Sequence, residues 1–164
     1  MYKLLLADDA LIKLAKSDIL GQICHHYDCI ITAEIKNECV DEGKKRLYED
    51  ALKIEELINK KLLKITDLKK AIKIKENFGK GEISAVNLYF QEKNSIIITD
   101  DSAFIKYLED RDIRYLIPAG IIILMRISNK IDKKNALNYL EKIKEFIREE
   151  VYDDIKIYLM EDSK

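Results

Sequence analysis

The chain has 164 residues, 48% of them hydrophobic and 36% charged, with 29 Lys plus Arg against 30 Asp plus Glu. That length fits one domain burying about two thirds of the surface its unfolded chain exposes, and the composition excludes a disordered or fibrous protein. A net charge of −1 excludes a globally basic nucleic-acid binder and leaves room only for a local basic rim.

Met1-Tyr2-Lys3 runs straight into an apolar stretch with no secretory pattern. The longest apolar run, "AGIIILM" at 119–125, falls well short of the roughly 20 residues that span a bilayer. A cytoplasmic protein with no membrane partner is expected. Three cysteines, Cys24, Cys29 and Cys39, make an odd count that fits a reducing compartment better than a disulfide framework.

In chain order, apolar runs predict strands at 3–7, 28–31, 95–99 and 113–116. The first is followed by a helical pattern through Leu11, Leu14 and Ala15. Thr32 is a plausible N-cap for the next helix. Residues 44–61 carry Leu47, Ala51, Ile54 and Ile58 at helical spacing, predicting one amphipathic helix. Ile83, Val86 and Phe90 mark another, opened by "GKGE". After Pro118 come "AGIIILMRI" and helices across 132–148 and 151–159. Alternating elements with uniformly apolar strands predict an α/β fold in which a parallel sheet is covered on both faces. One domain over 1–164 is expected, with a core at about 3–132 and C-terminal helices at 132–160.

Two of those strands end on acidic doublets, Asp8-Asp9 and Asp100-Asp101. Helix capping accounts for one carboxylate at such a place; it does not account for two. In an open parallel sheet, ligands bind beyond the carboxyl ends of the strands, so both doublets share one rim. Glu34 and Glu38, four apart in "TAEIKNECVDE", and Glu82 in "GKGEISAV" fall near the same rim. Converging carboxylates without matching Lys or Arg repel one another and hold on to protons. A hard divalent cation, Mg²⁺ or Mn²⁺, relieves that repulsion with oxygen ligands, and the lack of histidine among these acids argues against zinc.

The order "ADDALIKLAK", "IITAEIKNECVDEG", "GKGEISAV", "IIITDDSAF" and "IPAGIIILMRISNKID" resembles the PIN-domain nucleases, closest to the prokaryotic branch that includes VapC-type toxins. The resemblance covers roughly residues 3–132. It implies a three-layer α/β/α fold with four or five parallel strands. It also implies a metal-dependent endoribonuclease acting on single-stranded RNA with Mg²⁺ or Mn²⁺, a homodimer, and an antitoxin protein as possible partner. The family's metal-binding acids fall on Asp8, Glu38, Glu82 and Asp101, with Thr99 or Ser102 behind them and Lys80 or Lys106 toward phosphate. The family usually has Ser or Thr after the first Asp. Here a second acid occupies that slot, so Asp8 and Asp9 both remain candidates, as do Asp100 and Asp101 as ligands.

"CHHYDC" at 24–29 is too tightly spaced for a zinc site and reads as buried cysteines with partly exposed histidines. "GKG" lacks the rest of a nucleotide loop. A catalytically inactive PIN-like RNA- or protein-binding module is the main competing reading. A carboxylate-metal phosphatase is a third, weakened because the first doublet reads Asp-Asp-Ala and not D-x-D.

Overall fold

Leu4, Leu5 and Leu6 are wholly buried, as a strand covered on both faces requires. They form β1 (Lys3–Leu6), the centre of a sheet whose other strands are β2 (Asp28–Ile31), β3 (Leu63–Ile65), β4 (Ser95–Ile98) and β5 (Tyr115–Leu116). The computed structural model describes residues 1–163. Among them the strands pair in the order β3-β2-β1-β4-β5, every pair parallel.

The connections are helical: α1 (Asp8–Lys16) and α2 (Leu20–His26) lead to β2, and α5 (Glu49–Asn59) leads to β3. Before α5, α3 (Ala33–Lys36) runs through a π turn at Asn37–Asp41 into α4 (Glu42–Lys45). On the return, α6 (Lys80–Gln91) precedes β4 and α7 (Ser102–Glu109) precedes β5. Right-handed crossovers then place the helices of the β1-β2-β3 half on one face and α6 and α7 on the other. The result is the expected three-layer α/β/α fold. A last group, α8 (Gly120–Ile127), α9 (Lys133–Ile143) and α10 (Glu149–Glu161), packs mutually. The "GIIILM" run enters the core through Ile121, Ile122 and Met125. No helix among the described residues is long and apolar enough to cross a membrane.

The chain leaves β1 toward β2 on one side and later returns to β4 on its other side. This is the topological switch point, where strand-end side chains face an open crevice. Register is exact across it: Leu6 pairs with Ile98, and the Ala7 N–H donates to the Ile98 carbonyl at 3.0 Å. Ala7 and Thr99 therefore lie side by side, and the two acidic doublets follow immediately beyond them.

Three sequence expectations change. β3 was not among the expected strands, because Lys64 interrupts its short apolar run; it is a sheet edge on which Lys64 reaches Asp28 of β2 at 2.7 Å, a charged edge that discourages further pairing. The helix expected over 44–61 is two helices. Arg46 ends α4, Leu47 takes a positive φ of 60°, and the Tyr48 N–H returns to the Gly43 carbonyl at 2.9 Å, a Schellman closure. The fold-back lets α4 cross α5 so closely that a Cβ on Gly43 would lie 2.8 Å from the Ala51 Cβ. Leu47 consequently sits in solvent, 89% exposed, and not on the apolar face. Phe90 also leaves the expected apolar face of α6 and is 58% exposed.

A leucine in the left-handed region carries a backbone cost of about 1–2 kcal/mol with no burial to offset it. Leu47→Gly is expected to raise stability by about 0.5–1 kcal/mol once glycine's greater unfolded-state freedom is deducted. Urea denaturation checks it: the midpoint rises with an unchanged slope.

Candidate active site

Asp8 and Asp9 occupy the first turn of α1, and they do different things. Asp9 is fully engaged by the neighbouring strand end: its Oδ1 accepts from the Thr99 hydroxyl at 3.0 Å and its Oδ2 from the Asp100 N–H at 2.7 Å. These bonds lock α1 to the end of β4. Asp8 points the other way, toward α6 and the π turn. Among the described residues no hydrogen-bond donor reaches its buried Oδ1.

Asp8 instead faces Glu38. Two carboxylates cannot hydrogen-bond unless one carries a proton, and burial together with Glu38 pushes the Asp8 carboxyl up to about 8, with Asp9 and Glu82 adding negative charge. Glu82 is also raised, chiefly by burial. Asp101, Asp9 and Glu38 push it further, while the bond from the Gly79 N–H opposes the shift. Through that bond, 3.2 Å to Glu82 Oε2, the Glu82 side chain caps the Gly79 N–H at the start of α6.

Asp8 fits against α6 only because residue 81 is glycine. A Cβ there would lie 2.5 Å from Asp8 Oδ1 and closer still to Oδ2. The same turn is tied to α3 by a hydroxyl chain. Thr32 accepts from the Ile35 N–H at 3.2 Å and meets the Ser84 hydroxyl at 2.6 Å; Ser84 donates to the Gly81 carbonyl at 2.7 Å. With the Ser84 proton committed to Gly81, Thr32 is the donor in the pair. Thr32 is thus the expected N-cap and also the clamp between the helices bearing Glu38 and Glu82.

Glu38 lies in the π turn, where an extra residue per turn rotates side chains away from ordinary helical phase. It lines a cleft of about 380 Å³ with Ala33, Glu34, Asn37 and Lys80. Glu34 sits on the exposed outer lip of this cleft and Glu38 is half-buried. Cys39, next in the turn, is buried with its thiol directed at the Asp8 carbonyl at 3.9 Å. Burial and the surrounding carboxylates, Asp8 first, push that thiol far up, so it stays protonated beside the Asp8 carbonyl.

The second doublet splits as well. Asp101 caps α7, its Oδ1 accepting from the Phe104 N–H at 2.8 Å, while its charge reaches Glu82. Asp100 is paired with Lys13 at 2.9 Å, so its charge is neutralised away from the Asp8 group. Nothing in the sequence signals Lys13, which lies 87 residues from Asp100. Thr99 holds Asp9 and accepts from the Asp101 N–H at 3.3 Å, whereas Ser102 is exposed. Lys106 lies in the last turn of α7. Gly81, Ser84 and Cys39 escaped the sequence reading; of these only Gly81, inside "GKGE", left a visible trace.

Asp8, Glu38, Glu82 and Asp101, with Asp9 behind them, therefore form one mutually repelling group drawn from four elements. No three His, Cys, Asp or Glu side chains among the described residues already stand in metal-holding geometry. The donor set nevertheless fits a hard cation: it is all carboxylate, and a buried oxygen on Asp8 lacks a donor. Without a cation, a proton on the Asp8–Glu38 pair takes over part of that neutralisation.

A folded-state pKa near 8 against about 3.9 unfolded means that folding takes up a proton. The stability tied to Asp8 is complete below about pH 4 and is lost as pH rises through about 8. In EDTA, Asp8→Asn is expected to raise the melting temperature by about 5 °C at pH 8.5 and to change it little at pH 4.5; melting curves at the two pH values check this. Gly81→Ala is expected to cost about 1–3 kcal/mol by overpacking. Placed on an Asp8→Ala background it should cost much less, a coupling that a double-mutant cycle measures.

No curated protein matches the chain. The DUF3368 family model, described as a PIN domain, matches residues 9–161, from the second acid of the first doublet to the end of α10. PIN domains are generally nucleases, and on this match the chain belongs to the PIN-domain family.

Proposed function

We propose that this protein is a metal-dependent endoribonuclease of the VapC-like branch, hydrolysing phosphodiester bonds in single-stranded RNA. The observation that carries the proposal is the Asp8 carboxyl. It is pushed up to about 8 among other carboxylates, and among the described residues no lysine or arginine bonds to it. A structural ion pair would supply that cation from the chain; a site for Mg²⁺ or Mn²⁺ leaves the place open.

In this reading Asp8, Glu38, Glu82 and Asp101 would hold the cation. When bound, the metal supplies a water of lowered pKa and neutralises charge developing on the phosphate. The chain's own residues do the rest. Asp9, fixed by Thr99 and the Asp100 N–H, holds the α1 turn that aims Asp8. The Thr32–Ser84 link sets the separation of the Glu38 and Glu82 helices. Lys80, on the cleft wall beside Glu38, meets an incoming phosphate. Loading requires the Asp8–Glu38 proton to leave, so cation affinity rises with pH. A homodimer, and a toxin role with an antitoxin partner, belong to the same proposal through the family resemblance.

A non-catalytic RNA- or protein-binding member of the fold is the second reading, favoured by the lack of a ready-closed ligand cluster among the described residues. The two readings separate cleanly. A nuclease site is stabilised by Mn²⁺ as RT ln(1 + [Mn²⁺]/Kd), about 2.7 kcal/mol at a hundredfold excess over Kd, and cuts labelled single-stranded RNA. Asp101→Asn should lose about 100-fold or more in cleavage and most of the Mn²⁺-induced shift. Intact RNA with no Mn²⁺ effect on melting would remove the enzyme reading.

A further inference from the structure

A cleft built of carboxylates repels RNA phosphates, so attraction must come from elsewhere on the surface. Residues 66–79, between β3 and α6, adopt no helix or strand. Lys69, Lys70, Lys73 and Lys75 lie in this strap and Lys80 follows at the start of α6, against only Asp67 and Glu76 as acids. All five lysines are exposed, and none forms an ion pair among the described residues. By contrast, the lysines of α4 and α5 are largely committed, Lys44 to Glu55, Lys45 to Glu42 and Lys53 to Asp18. Glu76 is itself engaged by Arg111.

The strap has a fixed course despite its irregular backbone. Two amides one turn apart on α6 hold it. Gln91 accepts from the Lys69 N–H at 2.8 Å and donates to the Asp67 carbonyl at 2.9 Å; Asn87 accepts from the Ile72 N–H at 2.5 Å. Farther on, Phe78 packs edge-on against Phe104 and Tyr107. The strap therefore runs antiparallel to α6, from Gln91 back to Gly79, which donates to Glu82. Its lysines line a path of about 18 Å, the length of a twelve-residue helix, that ends at the acidic cleft. At the far end Ile72 and Phe90, 53% and 58% exposed, flank a cavity of about 330 Å³ with Lys69 and Lys70 on its wall.

We propose that this strap and the outer face of α6 form a binding track for single-stranded polynucleotide, with phosphates along the lysines and a base stacked on Phe90, feeding the strand to the cleft beside Lys80. The proposal rests on the nuclease reading for its direction. Unpaired lysines beside an exposed aromatic ring are the combination that sequence-tolerant single-strand binding uses. An acidic peptide would meet the same lysines. It could not pair with the strap at Lys69 or Ile72, because both N–H groups are already taken by α6.

The test is fluorescence anisotropy of the whole protein with a labelled oligouridylate in EDTA, across a salt series, so that no cleavage enters the readout. The combined variant K69A, K70A, K73A and K75A is expected to bind at least 10-fold more weakly, with the slope of log affinity on log salt reduced by about 3. The four arginine equivalents should retain both. F90A should weaken binding by about 5- to 100-fold and leave the slope intact. Circular dichroism of each variant, expected to match the unaltered protein, checks folding. Unchanged affinity and slope in the alanine variant would overturn the track, as would displacement of the RNA by oligoglutamate at equal or lower concentration. Failure to cut RNA with Mn²⁺ would remove the nuclease reading while leaving this binding result standing.

Discussion

The Asp8 carboxyl lies against the first turn of α6 at a distance that only glycine permits. Around that contact the rest of the site is arranged. With any side chain at residue 81, the Asp8 carboxyl would have to swing away or α6 would have to move outward, and Glu82 with it. If α6 moved, the Thr32–Ser84 link would open, since Ser84 also bonds to the Gly81 carbonyl. One missing Cβ thus sets the separation among three carboxylate-bearing elements. The physical consequence is electrostatic. Held this closely among carboxylates, Asp8 keeps its proton at neutral pH, and the group stores repulsion that a cation is suited to relieve.

Each acidic doublet divides its two members between different partners. Asp9 is spent on Thr99 and a backbone N–H and acts as a bolt between α1 and β4, which releases Asp8 to face the cleft. Asp100 is spent on Lys13, and Asp101 caps a helix with one oxygen. In both doublets one acid ties neighbouring elements together and the other adds its charge to the crevice. A strand end at the switch point needs one carboxylate to hold the neighbouring element and another to project into the crevice.

The fold supplies negative charge at the strand ends and positive charge along the strap, and the two are coupled through α6. Its N-terminal turn carries Lys80, Gly81 and Glu82; its C-terminal half carries the amides Asn87 and Gln91 that hold the strap in place. A helix that both builds the acidic wall and anchors the basic path gives a protein of net charge −1 a strongly dipolar surface.

Much of this was legible in the residues. Uniformly apolar strands predicted a parallel sheet; carboxylates after the strands predicted a shared rim; Thr32 announced a cap. These are local properties, set by hydrophobic periodicity and by the chemistry of the residues at strand and helix ends. The split of 44–61 into two helices was hidden because Leu47 keeps helical spacing, and only the close passage of Gly43 over Ala51 forces the break. β3 was hidden by Lys64, whose partner Asp28 lies on another strand. Which acid of each doublet faces the cleft depended on Lys13, Thr99 and Gly81, all distant in sequence. Side-chain roles at a shared rim follow from through-space charge and contact, and the linear order of residues does not encode those until the sheet has brought them together.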